Sequence, residues 1–338
     1  MSISAKELAQ KLNLSEAAIS MALNDKPGVS TATRKKVIET AQKYGYDFTR
    51  LKHVTHGEIK GLICLVVYKK SGAVVADTPF FSSLTEGISN GCTKKYYCLS
   101  ICYFYEDENL SDQVNLLKTS GYSGIILLAT EMNTQSLSYF TNLSVPLLVL
   151  DSYFDIPQYN FVLINNIQGA FLATDYLIKK CRIQPGYLHS SYLISNFEER
   201  ADGFYKAIRN HGMSTSKSIV HRLSPSQDGA YEDMKAFIQS KEELATCYFA
   251  DNDLIAVGAM RALIEVGYRI PEDISIIGFD NMPICEHVTP LLTTINVPKQ
   301  YMGETAAERM IQIIESGELF PTKIEIGTLL IRRKSVRS

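Results

Sequence analysis

Near residue 59 the apolar pattern of this 338-residue chain changes period, and that change restricts the fold more than any single motif. Before it, apolar residues recur three and four apart, as in helices. After it, compact apolar runs alternate with amphipathic helical stretches. Residues 61–67, 97–102, 124–129 and 146–150 read as buried strands, with helical stretches such as 81–96 and 111–119 beside them. Continuous apolar strands separated by helices predict a parallel sheet covered on both faces. The alternation resumes through 168–180, 200–210, 229–240, 247–250, 252–266 and 274–279, so a second lobe follows the first. With the chain crossing back near 294–299 and again near 324, two such lobes form a hinged cleft. Open α/β sheets take ligands beyond the carboxyl ends of their strands.

The first 46 residues read as three short helices joined by turns. Ser4 followed by Glu7 is a capping box ahead of a stripe of Leu8, Ala9 and Leu12. Asn13 stands at a sharp reversal, where Asn tolerates a positive φ. Ser15 caps a second helix that turns Ile19, Ala22 and Leu23 inward and leaves Glu16, Ala17, Ser20 and Met21 outward. Ser30 to Arg34 open a third helix cored by Val37, Ile38 and Ala41 and ended by Gly45. Two short helices joined by a three-residue turn make a helix-turn-helix, whose second helix enters a DNA major groove. The competing reading is a small bundle with no groove to fill. Ser4, Ser15, Ser20, Asn24, Ser30 and Thr33 supply the short hydrogen-bonding groups that hold phosphates. Glu16 can accept from cytosine N4, and Ala17 or Met21 can touch a thymine methyl.

Charge supports that division of labour. Residues 1–56 hold nine Lys and Arg against five Asp and Glu, a net +4, so a whole-chain charge of −2 leaves −6 on the remainder. A basic head on an acidic body suits a protein whose head alone meets phosphate. No run of 18 apolar residues predicts a membrane span, and the polar N-terminus lacks a signal-peptide pattern, which places the protein in the cytoplasm. Seven cysteines without a C-x-x-C pair predict reduced, structural thiols and no metal site. No phosphate-cradling glycine loop or nucleophile elbow follows any predicted strand, so neither a cofactor nor catalysis is expected.

The pattern Leu14-Ser15-x-Ala17-x-Ile19-Ser20-x-x-Leu23-Asn24, followed by Pro27-x-Val29-Ser30-x-x-Thr33-Arg34-x-x-Val37 and Tyr44-Gly45-Tyr46, resembles the lactose-repressor (LacI/GalR) family. The resemblance runs over nearly the whole chain. It implies an all-α helix-turn-helix head followed by a two-lobed, periplasmic-binding-protein-like (type I) α/β body with parallel sheets. The implied boundaries are a head at 1–46, a hinge linker at 47–59, a first lobe at 60–160 and 297–325, and a second lobe at 161–296 and 326–338. The implied partners are a pseudo-palindromic operator, a second copy of the chain, and a small-molecule effector such as a sugar or sugar phosphate.

Four body segments carry the same resemblance. Thr78-Pro79-Phe80-Phe81 is similar to the family's N-P-F-F, whose aromatics line the effector cleft. Glu199-Arg200-Ala201-Asp202-Gly203-Phe204 is similar to R-L-x-G-F, Phe249-Ala250-Asp251-Asn252-Asp253 to the segment ending in A-N-D, and Ile277-Gly278-Phe279-Asp280-Asn281 to V-G-F-D-D. Phe80, Phe81, Arg200, Asn252 and Asp280 are thus the implied effector contacts, and Asp151, just past a strand, is added to them. Aromatic faces with an Arg fork and carboxylates suit a polyol or heterocycle. Each has a plainer role: Phe80 and Phe81 as core, Arg200 paired with Glu198 or Asp202, and Asp253 as a helix cap. Residues 47–59 lack the family's P-N-x-x-A-R-x-L hinge, and Met21 stands where an Arg often reads guanine. A corepressor-dependent regulator, an activator and a solute-binding module are the alternatives.

Overall fold

The computed structural model describes residues 4–23, 29–30, 33, 36–37, 40–41, 44, 59–75, 78–156, 158–317 and 320–337. The chain divides into two units at residue 59.

In the first unit, helix Ala5–Leu12 begins with the expected capping box. The Glu7 N–H donates to Ser4 Oγ at 3.3 Å and the Ser4 N–H to Glu7 Oε2 at 2.7 Å. Asn13 ends it at φ 52°, the left-handed conformation its side chain favours. Ser15 caps helix Glu16–Leu23 by accepting from the Ala18 N–H at 3.1 Å. Leu8, Ala9, Ile19, Ala22, Leu23, Val37 and Ala41 form its core. Asn24, Ile38, Gly45 and the linker 47–58 lie outside the described residues.

The second unit holds two six-stranded sheets. The first takes β1 Gly61–Lys69, β2 Tyr97–Tyr105, β3 Gly124–Leu128, β4 Leu147–Leu150, β5 Asn160–Ile164 and β11 Lys323–Ile326, in the order β11-β5-β4-β3-β1-β2, all parallel. The second takes β6 Gly186–Ser190, β7 Val220–Leu223, β8 Cys247–Ala250, β9 Ser275–Asp280, β10 Thr293–Asn296 and β12 Leu329–Ile331, in the order β12-β10-β9-β8-β6-β7. Its edge strand β12 pairs antiparallel to β10, which the expectation of purely parallel sheets did not include.

The expected lobe break at 160/161 falls inside β5, which pairs with β4, so the chain leaves the first sheet only after Ile164. It returns through 297–298 into helix Lys299–Ser316 and crosses a third time between Ile326 and Leu329. Helix Lys299–Ser316 lies against helix Pro79–Lys94 at very short range. A Cβ on Gly87 would stand 2.1 Å from the Gln300 carbonyl oxygen, and one on Gly303 2.2 Å from that of Leu84. Only glycine permits that approach.

Candidate ligand-binding cavity

The strands of both sheets end around one cavity of about 290 Å³. Its lining comes from the loop after β1, the start of helix Pro79–Lys94, the residues after β3 and β4, helix Ser195–Asn210, and the turns after β7, β8 and β9. Phe80, Phe81, Asp151, Arg200, Asn252 and Asp280 all lie in this lining. It is mostly apolar with a few convergent polar groups, the character of a small-molecule site.

Arg200 is buried, and neither Glu198 nor Asp202 is its partner. Its Nε donates to Asn166 Oδ1 at 3.0 Å, its Nη1 to the Asp251 carbonyl oxygen, and its Nη2 to Asp280 Oδ1 at 3.3 Å. The guanidinium carbon sits 3.8 Å from the Phe279 ring centroid, so the fork is stacked as well as bonded. Asp251 is fully buried and accepts from Tyr187 Oη, from the Ser190 N–H at 2.6 Å, and pairs with His189 Nδ1 at 2.7 Å. That network fixes the carbonyl Arg200 grips.

Asp151 is 2% exposed, at φ 64° just past β4. Such a conformation is strained for a residue other than glycine and clusters at functional sites. Its Oδ2 accepts from Thr130 Oγ1 at 2.6 Å, while its Oδ1 is buried with no partner among the described residues. Burial pushes the carboxyl up to about 7, against the pull of Thr130 and Arg200. Burial also raises the Asp280 carboxyl, with Arg200 and Lys299 drawing it back. Asp280 is held at φ 106° and Asn281 at 53°. Lys299 Nζ donates to the carbonyls of Asp280, Asn281 and Val297, the last two at 3.3 Å.

Asn252, not Asp253, caps helix Asp253–Glu265, its Oδ1 accepting from the Ile255 N–H at 2.8 Å. Asp253 is wholly buried beneath the cavity, accepting from the Met282 N–H at 2.7 Å and Thr294 Oγ1 at 2.5 Å. Phe80 and Phe81 pack edge to face at 5.0 Å between centroids, Phe80 7% exposed and Phe81 half-buried. They are core and cavity wall together.

Sequence reasoning missed Thr130, Asn166, Asn196, Phe197 and Ser226. Each stands at a strand end or in the first turns of a helix. Their positions after β3, β5, β6 and β7 are the available signal, and the sequence alone does not mark β5, β6 or β7 as strands.

In the first unit Ser4, Ser15, Glu16, Ala17, Ser20 and Ser30 are exposed, and Met21 and Thr33 half-buried. Ser30 Oγ accepts from the Thr33 N–H at 3.1 Å, and the two hydroxyls meet at 2.8 Å.

Residues 183–336 match the periplasmic binding protein-like domain family. The whole chain is similar to two proteins named HTH-type transcriptional repressor PurR. That of Aliivibrio salmonicida is 27% identical over 335 residues, 98% of each chain, and that of Mannheimia succiniciproducens is 25% identical over 334 residues, 98% of each. Among solved structures, a LacI family regulator from Enterococcus faecium with bound ribose aligns at 25% identity and a TM-score of 0.70, covering 81% of this chain and 98% of that one. The regulator CelR in complex with cellobiose aligns over 98% and 99% of the two chains at 21% identity and a TM-score of 0.74. The lac repressor dimer bound to operator and the anti-inducer ONPF aligns over both full chains at 21% identity and a TM-score of 0.71, sharing the fold.

Proposed function

We propose that this chain is a transcriptional regulator of the LacI/GalR family, an operator-binding repressor controlled by an uncharged, hydrogen-bond-donating small molecule in the cavity. The relatives named as repressors, and the ribose and cellobiose held by similar structures, support a sugar-sized effector. The head, residues 1–46, reads DNA. Glu16, Ala17 and Met21 face base edges, while Ser4, Ser15, Ser20, Asn24, Ser30 and Thr33 hold the backbone. Two copies of the chain read a pseudo-palindromic site, matching operator symmetry to protein symmetry. Such a regulator works in the cytoplasm. Among the described residues no helix is long and apolar enough to cross a membrane.

The observation that carries the ligand class is the unpartnered Asp151 Oδ1. A buried acceptor without a donor is costly, and a ligand hydroxyl or N–H removes that cost. Phe80 and Phe81 offer apolar faces, and Arg200 keeps further N–H groups beyond the three it has committed. Arg200 already spends its charge on Asp280, with Asp151 on the same cavity lining, so a phosphate gains little there. Asn252, committed as a cap, shapes the wall.

A thermal-shift screen tests this reading with neutral saccharides, nucleosides and nucleobases set beside their phosphorylated counterparts. The reading predicts stabilisation by an uncharged member and none by its phosphate. Stabilisation by phosphorylated compounds alone contradicts it.

A further inference from the structure

Five backbone amides of one loop converge on a single carboxylate that the ligand site does not otherwise use. Glu131, just past β3, is 4% exposed. Its Oε2 accepts from the N–H groups of Lys70, Ser71 and Gly72 at 2.9, 3.0 and 3.0 Å, and its Oε1 from those of Val74 and Val75 at 2.7 and 2.8 Å. The sixth amide of the run, Ala73, donates to Ser71 Oγ at 3.2 Å. Residues 70–75 follow β1 and belong to no helix or ladder, so Glu131 is the protein acceptor that holds five of their amides, the buried Val75 N–H among them. Charge-assisted bonds of this kind are the strong ones, and five of them converge here on one group.

The loop matters because of where it lies. Gly72, Ala73 and Val74 form the first-lobe wall of the cavity, and the chain then leads to Thr78, Phe80 and Phe81, which line it too. From the same loop Ser71 Oγ donates to Tyr192 Oη at 3.0 Å, and Tyr192 follows β6 of the second sheet. One carboxylate thus shapes a cavity wall and presents the hydroxyl that touches the other lobe.

We propose that Glu131 is the positioning residue of this cavity, templating loop 70–75 as a preformed wall and setting, through Ser71 and Tyr192, the register in which the two lobes meet. The proposal rests on the cavity being the effector site, but its geometry is independent of which effector binds. A preformed wall spares the ligand the entropy of ordering six residues, which is how pre-organisation raises affinity.

Amide hydrogen exchange of the full chain tests it without any ligand, comparing wild type with Glu131→Gln, Glu131→Asp and Tyr192→Phe. Glu131→Gln keeps the size of the side chain but turns an N–H₂ toward amide donors. Amides 70–75 then exchange at least about tenfold faster, while those of β1, β3 and β4 stay within roughly twofold. Glu131→Asp keeps the charge on a shorter stem and retains part of the protection. Tyr192→Phe leaves protection of 70–75 in place, because the loop is held from the first lobe. Unchanged exchange of 70–75 in a folded Glu131→Gln protein overturns the proposal. So does an equal loss of protection throughout the lobe in both Glu131 variants, which makes the residue a general core contact. An unsuccessful ligand screen leaves these outcomes unaffected, so the two readings fail separately.

Discussion

Arg200 Nη2 and Asp280 Oδ1 stand 3.3 Å apart at the cavity floor, joining helix Ser195–Asn210 to the end of β9. Neither is a free surface charge: their side chains are 4% and 15% exposed. The guanidinium stacks on Phe279 and bonds Asn166 and the Asp251 carbonyl, so its orientation is set before any ligand arrives. Removing either partner leaves a desolvated charge behind.

Arg200→Ala therefore strands Asp280 and Asn166, lowering body stability by about 3–5 kcal/mol and abolishing the ligand-dependent thermal shift. Arg200→Lys retains the charge without the planar fork and recovers stability more than ligand response. Thermal melts with and without the screened ligand check both. A normal ligand shift in a folded Arg200→Ala protein removes Arg200 from the site.

Asp151 makes stability depend on pH with an unusual sign. Its carboxyl loses its proton near 3.8 when unfolded and holds it to about 7 when folded. Between those values the folded state binds the extra proton, so this contribution is complete below pH 4 and declines as pH rises toward 7. Asp151→Asn removes the burden, melting higher than wild type at pH 8 by roughly 1–3 kcal/mol, with the gap narrowing toward pH 5. The same variant loses the acceptor for the ligand donor, trading response for stability. Melts at pH 5 and pH 8 that show no difference between the two proteins would rule out the buried carboxyl as described.

Gly87 and Gly303 set the approach of the two helices that close the outer face of the first lobe. Gly87→Ala forces a methyl to 2.1 Å from the Gln300 carbonyl oxygen, beside the start of the helix that carries Lys299. The helices must part, lowering stability by about 2–4 kcal/mol in a chemical-denaturation series. A change below about 0.5 kcal/mol would show that the helices slide apart freely.

Ser20 is exposed on helix Glu16–Leu23. In the groove-facing reading, Ser20→Asp sets a carboxylate against phosphate and weakens binding to every DNA sequence by about tenfold or more. Ligand-dependent stabilisation of the body stays as in wild type. Unaltered DNA affinity would take this face of the helix out of the interface.

The period change at residue 59 marks the division into two units, four short motifs hold five of the six lining residues proposed for the cavity, because each motif ends a strand or opens a helix, and Asp151 follows from its place just past a strand. Caps were legible where the signal is local: Ser4, Asn13 and Ser15 behave as their side chains dictate. Asn252 and Asp253 were confused because both can cap, and only the tertiary fold shows Asp253 drawn under Met282 and Thr294. β5, β6 and β7 were missed because they are four or five residues long, and Tyr, His, Arg and Asn interrupt their apolar character. Glu131, Asn166 and Lys299 carry no local pattern at all. Their roles arise mostly from partners far along the chain, up to 61 residues distant, that sequence periodicity cannot assign.

A fluorescence-anisotropy titration tests the central claim most directly. The full chain and its Ser20→Asp and Asp151→Asn variants are titrated against DNA from upstream of the chain's own gene, at several salt concentrations and with the screened ligand. The account predicts tight wild-type binding that falls steeply with salt and changes with ligand, weak binding by Ser20→Asp, and ligand-indifferent binding by Asp151→Asn. Equal, sequence-indifferent binding by all three, unaltered by ligand, would contradict it.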